Sequence, residues 1–368
     1  MKVLYLTNLP VPYRVEFFNI LGKEIDLTVI FDRDSAMDRE DSWLSNNIKY
    51  FTGYFLNSWE IGNENSISFE IFKYLKRDWD IIVIGTHVSY TALVAMLYMR
   101  LRGIRFVFNC DGGVFYEGES KIKKAIKKFF VQSAECYLST GKITDQWFRY
   151  YGADSKCIYR YPFAAFDEKY ISKSKSEKWN IRRKLGIPLD KKVIISVGRF
   201  IDLKGFDVLI KAFKSINHNA VLYIIGGSFP KKEWLSLLKL NGNEQIKFIE
   251  FQDNYNLTLW YQAADIFVLA TRRDSWGLVI NEAMAHGLPV ITTNRCNAGL
   301  ELINDYENGF IFEVDDYNQL TDKINMLLEN DALCIEQGEN NKRKIKNYTL
   351  EKMVTVHLNV FKEILKNR

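Results

Sequence analysis

The stretch DIFVLATRRDSWGLVINEAMAHGLPVITT, residues 265–293, decides the fold. DIFVLAT (265–271) is a continuous apolar run, the pattern of a strand covered on both faces, and Thr271–Trp276 is its exit turn. Gly277 lets backbone approach a ligand, LVINEAMAHG has helical character, and PVITT (289–293) is a second strand. Strand, helix and strand in so short a span make a βαβ unit, which implies a parallel sheet.

The same alternation extends both ways. KVLYLTN (2–8), IDLTVIFD (25–32), DIIVIGT (80–86), RFVFNCD (105–111) and ECYLST (135–140) read as strands of a first domain. YRVEFFNILGKE (13–24) and TALVAMLYMRLRG (91–103) lie between them with helical spacing. At 159–179 the pattern gives way to a polar, Lys/Ser-rich passage. A second series then runs through KVIISVGRF (192–200), AVLYIIGG (220–227), IKFIEF (246–251), 265–271, 289–293 and GFIFEV (309–314). GFDVLIKAFKSI (205–216) and LTLWYQAA (257–264) are its helices. The expectation is an α/β chain of two Rossmann-like domains facing one cleft: residues 1–165, a linker over 166–185, and residues 186–349. Residues 350–368 form a terminal amphipathic helix.

The 368 residues suffice for two cores, and 47% hydrophobic with 26% charged residues is the balance of a soluble globular chain. A formal charge of +5 is too small to make nucleic acid the expected partner. Five scattered cysteines lack metal-ligand spacing and read as reduced thiols of a cytoplasmic protein, with no secretory signal apparent. IIVIGTHVSYTALVAMLYM (81–99) is long enough to span a bilayer, but Thr86, His87 and Ser89 interrupt it and divide it into strand and helix.

In open α/β sheets ligands bind beyond the carboxyl ends of the strands, so the turns there hold the candidate residues. GRFIDLKG (198–205) carries Arg199 and Lys204, a cationic pair suited to a diphosphate or, alternatively, merely solvated. The first amides of the helix after Gly277, at Leu278 and Val279, offer an anion site. Glu282 would repel that anion, yet it suits the paired hydroxyls of a ribose further inward; Asp274 suits hydroxyls of whatever the phosphate carries. The plainer reading makes Asp274 a helix cap and Glu282 a complement to the helix dipole. His286, before Gly287, reads as a stabiliser of the helix C-terminus.

The combination GRFIDLKGFDVLIKAF, YQAADIFVLATRRDSWGLVINEAMAHGLPVI and ENGFIF resembles the C-terminal domain of glycosyltransferase family 4, retaining enzymes of GT-B fold, in order and spacing over most of residues 190–315. Asp274 and Glu282 match that family's pair of acids separated by seven residues. The resemblance implies a nucleotide-sugar donor, UDP- or GDP-linked, with Asp274 on the sugar, Glu282 on the ribose, and Arg199, Lys204 and the amides of Gly277–Val279 on the diphosphate. It also implies retention at the anomeric carbon, no metal or other cofactor, and a C-terminal helix that crosses back to the first domain. Two departures stand out: the first acid is usually Glu, and the usual Pro-Ser or Pro-Thr at the strand end is Ala270–Thr271 here.

The N-terminal half resembles the family less. TNLPVPYR (7–14) lacks the glycine pair of many relatives, but offers Arg14 as an anion contact from a helix start. In NCDGG (109–113), Asp111 occupies the place where many relatives carry a sugar-contacting histidine. It is a candidate catalytic residue alongside Asp274, with Gly112 giving close approach; an ordinary Asp-Gly turn is the alternative. His87 is a further candidate for the cleft.

KIKKAIKKFF (121–130) is a basic amphipathic helix, suited to an anionic membrane or to a solvated lysine face over a core stripe. Family members often build bacterial surface polysaccharides, so a glycan or lipid-linked oligosaccharide acceptor, met peripherally at the inner face of the cell membrane, is the expectation. The rival readings are a GT-B enzyme of another reaction, a phosphorylase or sugar-nucleotide epimerase, and a two-lobed sugar-binding protein without catalysis.

Overall fold

The computed structural model describes residues 1–33, 47–61, 65–76, 78–86, 89–116, 118–171, 178–216, 218–227, 230–234 and 245–368. The chain divides into two compact units, Met1–Phe166 with Thr349–Arg368, and Asp167–Tyr348.

The first unit is built on β1 (Lys2–Thr7), β2 (Asp26–Phe31), β3 (Thr52–Phe55), the antiparallel hairpin β4 (Trp59–Ile61) and β5 (Asn65–Ile67), β6 (Ile81–Ile84), β7 (Val107–Cys110), β8 (Cys136–Ser139) and β9 (Ile158–Arg160). Its sheet has the order β3-β2-β1-β6-β7-β8-β9, parallel throughout. The helices are α1 (Pro12–Leu21), α2 (Ile71–Leu75), α3 (Tyr90–Arg102), α4 (Lys121–Val131) and α5 (Lys142–Tyr150). Pro12 opens α1 where a missing N–H is harmless, and Ser89 and Ser120 cap α3 and α4 by accepting from Ala92 N and Lys123 N. The 81–99 stretch is therefore a strand and a helix; among the described residues no helix is long and apolar enough to cross a membrane.

In the second unit α6 (Lys178–Lys184) precedes β10 (Lys192–Val197), α7 (Phe206–Lys214), β11 (Ala220–Ile225), β12 (Ile246–Ile249), α8 (Asn254–Ala263), β13 (Ile266–Leu269), α9 (Leu278–Ala285), β14 (Val290–Thr293), α10 (Asn297–Leu302), β15 (Gly309–Phe312), α11 (Tyr317–Glu329) and α12 (Asp331–Ile345). The sheet order is β12-β11-β10-β13-β14-β15, also parallel, the doubly wound dinucleotide-fold order. Its core gathers Ile194, Leu222, Val268 and Ile291 from the strands with Phe206, Leu209 and Leu320 from the helices. The last helix, α13 (Leu350–Asn367), belongs to the first unit, where His357 packs its ring on Phe17 of α1 and on Tyr161.

Within the stretch expected to link the halves, α6 is tied to the second sheet. Arg182 donates to Ala263 O (2.9 Å), Lys191 O (3.1 Å) and Asp265 (2.7 Å), and Lys178 also pairs with Asp265. The hairpin β4–β5 and the strands β3 and β9 lie outside the runs expected from the sequence; the last two belong to the parallel sheet. Both are edge strands, and TGYF and IYR lack the apolar run that burial on two faces imposes.

In each sheet the order reverses beside the first strand, between β1 and β6 and between β10 and β13. The second of these points is closed tightly. Gly205, at φ 64°, lies so close to β13's end that a Cβ there would fall 1.9 Å from Ala270 O. Gly205→Ala is expected to destabilise the protein by at least about 2 kcal/mol in urea unfolding, combining left-handed strain with a backbone clash. Gly186→Ala, at φ 65° with open space around it, isolates the strain alone and should lose about 1 kcal/mol.

Candidate functional site

The turns after β10 and β13 are stitched together by backbone and side-chain hydrogen bonds. Arg272 N and Thr271 Oγ1 donate to Leu203 O (2.8 and 2.9 Å). The Arg272 guanidinium holds Asp202 O (2.6 Å), Asp207 (2.7 Å) and Asp315 (2.8 Å). This seam fixes Lys204, whose stem lies along Gly198 and whose Nζ sits 2.6 Å from Asp274 Oδ2, both side chains largely buried. Arg199 is exposed on the same turn.

Asp274 is held from the other side by β14's turn: its N–H donates to Arg295 O (3.0 Å), and its carbonyl accepts from Asn297 N (3.3 Å). It does not cap the following helix. Gly277, at φ 99°, occupies the cap position of α9 with no side-chain cap, so the amides of Leu278 and Val279 open the helix behind a residue without a side chain. A Cβ on Gly277 would meet Cys296 Sγ at 2.8 Å, while Asp274 Cγ lies 3.7 Å from the same point. Lys204, Asp274, Gly277 and the start of α9 therefore form one constellation at the strand-order reversal. A cation, a carboxylate and helix amides within a few ångströms can hold an anion and a hydroxyl-bearing group together.

Glu282 lies one turn into α9 and is half-buried. Its Oε2 accepts from the Tyr261 hydroxyl at 2.8 Å. Burial pushes its carboxyl up to about 7, against the opposing pull of the Tyr261 hydrogen bond. Tyr261 stacks on His286 (5.5 Å between centroids, 11° between planes), and Tyr170 meets the other ring edge-on at 4.9 Å. His286 does sit at the end of α9, but not as the charged stabiliser expected there. Burial, with Lys342 nearby, lowers its pKa to about 4, and among the described residues neither ring nitrogen has a hydrogen-bond partner. It serves as a flat apolar wall between two tyrosines. Tyr261 and Tyr170 are additions that sequence spacing did not point to, since Tyr261 reaches Glu282 across 21 positions.

In the first unit the structure brings two other sequence candidates together. Arg14, buried on α1, forms an ion pair with Asp111 beyond the end of β7. Asp111 Oδ1 also accepts from Asn109 Nδ2 (2.8 Å) and Tyr161 Oη (2.7 Å). Asp111 is thus a fixed, partly exposed carboxylate and not only a turn residue. Arg14 spends one guanidinium nitrogen on it and lies 5.9 and 5.6 Å from the ring centroids of Tyr13 and Phe163, which meet edge to face beside it. Gly112 follows at intermediate exposure, and Gly113 packs on Trp147, where a Cβ would come within 2.3 Å. His87 lies outside the described residues. Among the described residues no three His, Cys, Asp or Glu side chains gather as a metal set.

Residues 177–362 match the family model of the glycosyl transferases group 1. The capsular polysaccharide biosynthesis glycosyltransferase CapM of Staphylococcus aureus is 31% identical over 170 residues, 43% of this chain and 42% of its own. An uncharacterized glycosyltransferase of Haemophilus influenzae is 28% identical over 171 residues, 45% and 48% of the two chains. The chain spans about half the length of these curated relatives. Among solved structures, sucrose-phosphate synthase from Thermosynechococcus elongatus aligns with TM-score 0.80 at 17% identity over 100% of both chains. Anabaena Alr3699/HepE in complex with UDP aligns with TM-score 0.80 at 18% identity, again over 100% of both. At these identities the likeness carries the fold, two parallel-sheet α/β units of the GT-B kind, and nothing finer.

Glu282 and Asp111 each lead to a prediction. With a folded pKa near 7, above its ordinary value, Glu282 binds its proton more tightly in the folded protein. Its contribution to stability is complete below about pH 4.5 and lost as pH rises through 7. His286 runs the other way, losing stability as pH falls below 6.5. The difference between wild type and Glu282→Gln isolates the first term: the variant should gain relative stability between pH 5 and 8 in chemical unfolding. Asp111→Ala strands the buried Arg14 and should lower stability by on the order of 3 kcal/mol, with the double variant Arg14→Met/Asp111→Ala recovering part of the loss.

Proposed function

We propose, since the chain belongs to the glycosyl transferases group 1, that it moves a sugar from a nucleotide-diphosphate donor, a UDP- or GDP-sugar, to a hydroxyl of a glycan or lipid-linked oligosaccharide. The observation that carries this reading is the grouping of Lys204, Asp274 and the first amides of α9 around Gly277, with Glu282 one turn further in. HepE's solved complexes with UDP and UDP-glucose support the class of donor.

In this reading the diphosphate lies against Lys204, Arg199 and the amides of Leu278 and Val279. Without donor, Lys204 is neutralised by Asp274. An arriving diphosphate competes for the ammonium and frees Asp274 to accept from donor-sugar hydroxyls. Glu282, steadied by Tyr261, accepts from both ribose hydroxyls. Transfer breaks the anomeric carbon–oxygen bond, and its electron pair leaves with the diphosphate. The acceptor oxygen bonds to the anomeric carbon, and its proton passes to a phosphate oxygen. The cations and helix amides oppose the charge growing on the leaving group, which is the metal-independent route of the proposal. Attack from the leaving-group side gives retention, the outcome the family 4 resemblance implies. Asp111, set by Arg14, Asn109 and Tyr161, takes a hydroxyl of sugar or acceptor, with Gly112 beside it.

The proposed setting is bacterial surface-polysaccharide synthesis, in the cytoplasm and peripherally at the inner face of the membrane. CapM, a relative over part of the chain, is named for capsular polysaccharide biosynthesis.

Calorimetric titration with UDP, GDP and inorganic pyrophosphate tests the donor site. Glu282→Ala should weaken nucleoside-diphosphate binding roughly 10–100-fold, the value of one or two charged hydrogen bonds, and leave pyrophosphate binding unchanged. Because ribose hydroxyls need the ionised carboxylate, wild-type affinity should rise between pH 6 and 8, and this rise should vanish in Glu282→Gln. Asp274→Ala should retain UDP binding while losing most sugar transfer; unchanged transfer would remove Asp274 from the mechanism.

A further inference from the structure

Helix α4 is inside out. Val131, its one buried residue, lies on the side opposite Ile122, Ala125, Ile126 and Phe129, which are all exposed. Ile122 is 75% exposed and Ile126 48%. The lysines that turn inward are Lys124 and Lys127. Lys124 Nζ stands 3.9 Å from the Tyr150 ring centroid and 2.7 Å from its hydroxyl. Lys127 Nζ lies 2.5 Å from Glu119 Oε1 and 5.1 and 5.3 Å from the Tyr116 and Tyr151 rings. These contacts fix the helix's rotation: turning the apolar stripe inward would break both lysine anchorages.

The remaining lysines, Lys121, Lys123 and Lys128, are exposed and flank the stripe on its two sides. The neighbouring α3 carries exposed apolar side chains of its own. Arg100 donates to Phe129 O (3.0 Å) and Ser133 Oγ (2.7 Å) with its guanidinium 4.1 Å from the Phe129 ring centroid. On the same helix Leu97 is exposed and Leu101 is 77% exposed. A row of outward apolar side chains bordered by lysines is the layout of a helix lying in a membrane interface, with the chains entering the acyl boundary and the ammonium groups meeting lipid phosphates.

We infer that α4, with Leu97 and Leu101 of α3, is the face by which this chain docks on an anionic bilayer. Charge complementarity selects that occupant: a second copy would oppose the lysine borders to one another. The inference rests on the function proposed above only for the use it gives the docking, delivery to a lipid-linked acceptor, and docking is measured without turnover.

Flotation of the full chain with phosphatidylcholine vesicles, with and without phosphatidylglycerol, is the test. Binding should require phosphatidylglycerol and weaken with added salt. Phe129→Gln with Ile126→Gln, and separately Lys121→Glu, Lys123→Glu and Lys128→Glu together, should each reduce binding at least about tenfold. The lysines and Ile126 are exposed and Phe129 gives up only its surface contacts with Arg100 and Phe130, so the thermal midpoint should move only slightly and UDP binding should be unchanged. Failure of wild type to float, or flotation that ignores both sets of substitutions, overturns the inference. So does light scattering that shows the stripe consumed in a dimer which the glutamine pair dissolves. Flotation as expected in a protein that binds no nucleotide would sink the transfer reading and leave the docking face standing.

Discussion

The rest of the site depends on the seam that presses the turn after β10 onto the end of β13, where the second sheet reverses its strand order and Lys204 and Asp274 are brought 2.6 Å apart. Neither is placed by its own turn alone. The turn after β10 is pressed onto the end of β13 at Gly205, and Arg272 locks it there through the carbonyl of Asp202 and the carboxylates of Asp207 and Asp315. The third element is Gly277, whose positive φ starts α9 without a side chain between its first amides and Asp274. Cation, carboxylate and helix amides are thereby held together by the protein alone, the preorganisation on which the electrostatic stabilisation of the proposed transfer rests.

The aromatic wall behind Glu282 complements that arrangement. Tyr261 fixes one carboxylate oxygen, and it is itself fixed by stacking on a neutral, buried His286 that Tyr170 closes from the other edge. Burial raises the Glu282 carboxyl to about 7, and hydroxyls that donate to its charged form would lower it again.

The two sheets were legible in the sequence where strands are covered on both faces, because KVIISV and IFVL are short apolar-rich runs of β-branched and aromatic residues, too short for a typical buried helix. The edge strands β3 and β9 were not, since edges escape that requirement. At the site, Lys204 and Asp274 lie on strand-end turns where ligands bind, while Glu282, a turn into its helix, was legible through the spacing of the two acids that resembles glycosyltransferase family 4. Tyr261 and Tyr161 did not, being brought to their carboxylates across 21 and 50 positions by the sheet alone. The basic helix was half legible: its two-sided pattern is local, but which side turns inward is decided by Glu119, Tyr150 and Tyr151. The Arg14–Asp111 pair joins two candidates that were separate in the sequence reading.

The central claim is that a nucleoside diphosphate sits with its phosphates on the start of α9 and its ribose on Glu282. A crystal structure of the chain soaked with UDP tests it most directly. The account predicts the β-phosphate within hydrogen-bonding distance of the Leu278 or Val279 amide and of Lys204 Nζ, with both ribose hydroxyls on the Glu282 carboxylate. A diphosphate bound away from Gly277, or a ribose that leaves Glu282 bonded to Tyr261 alone, would contradict it.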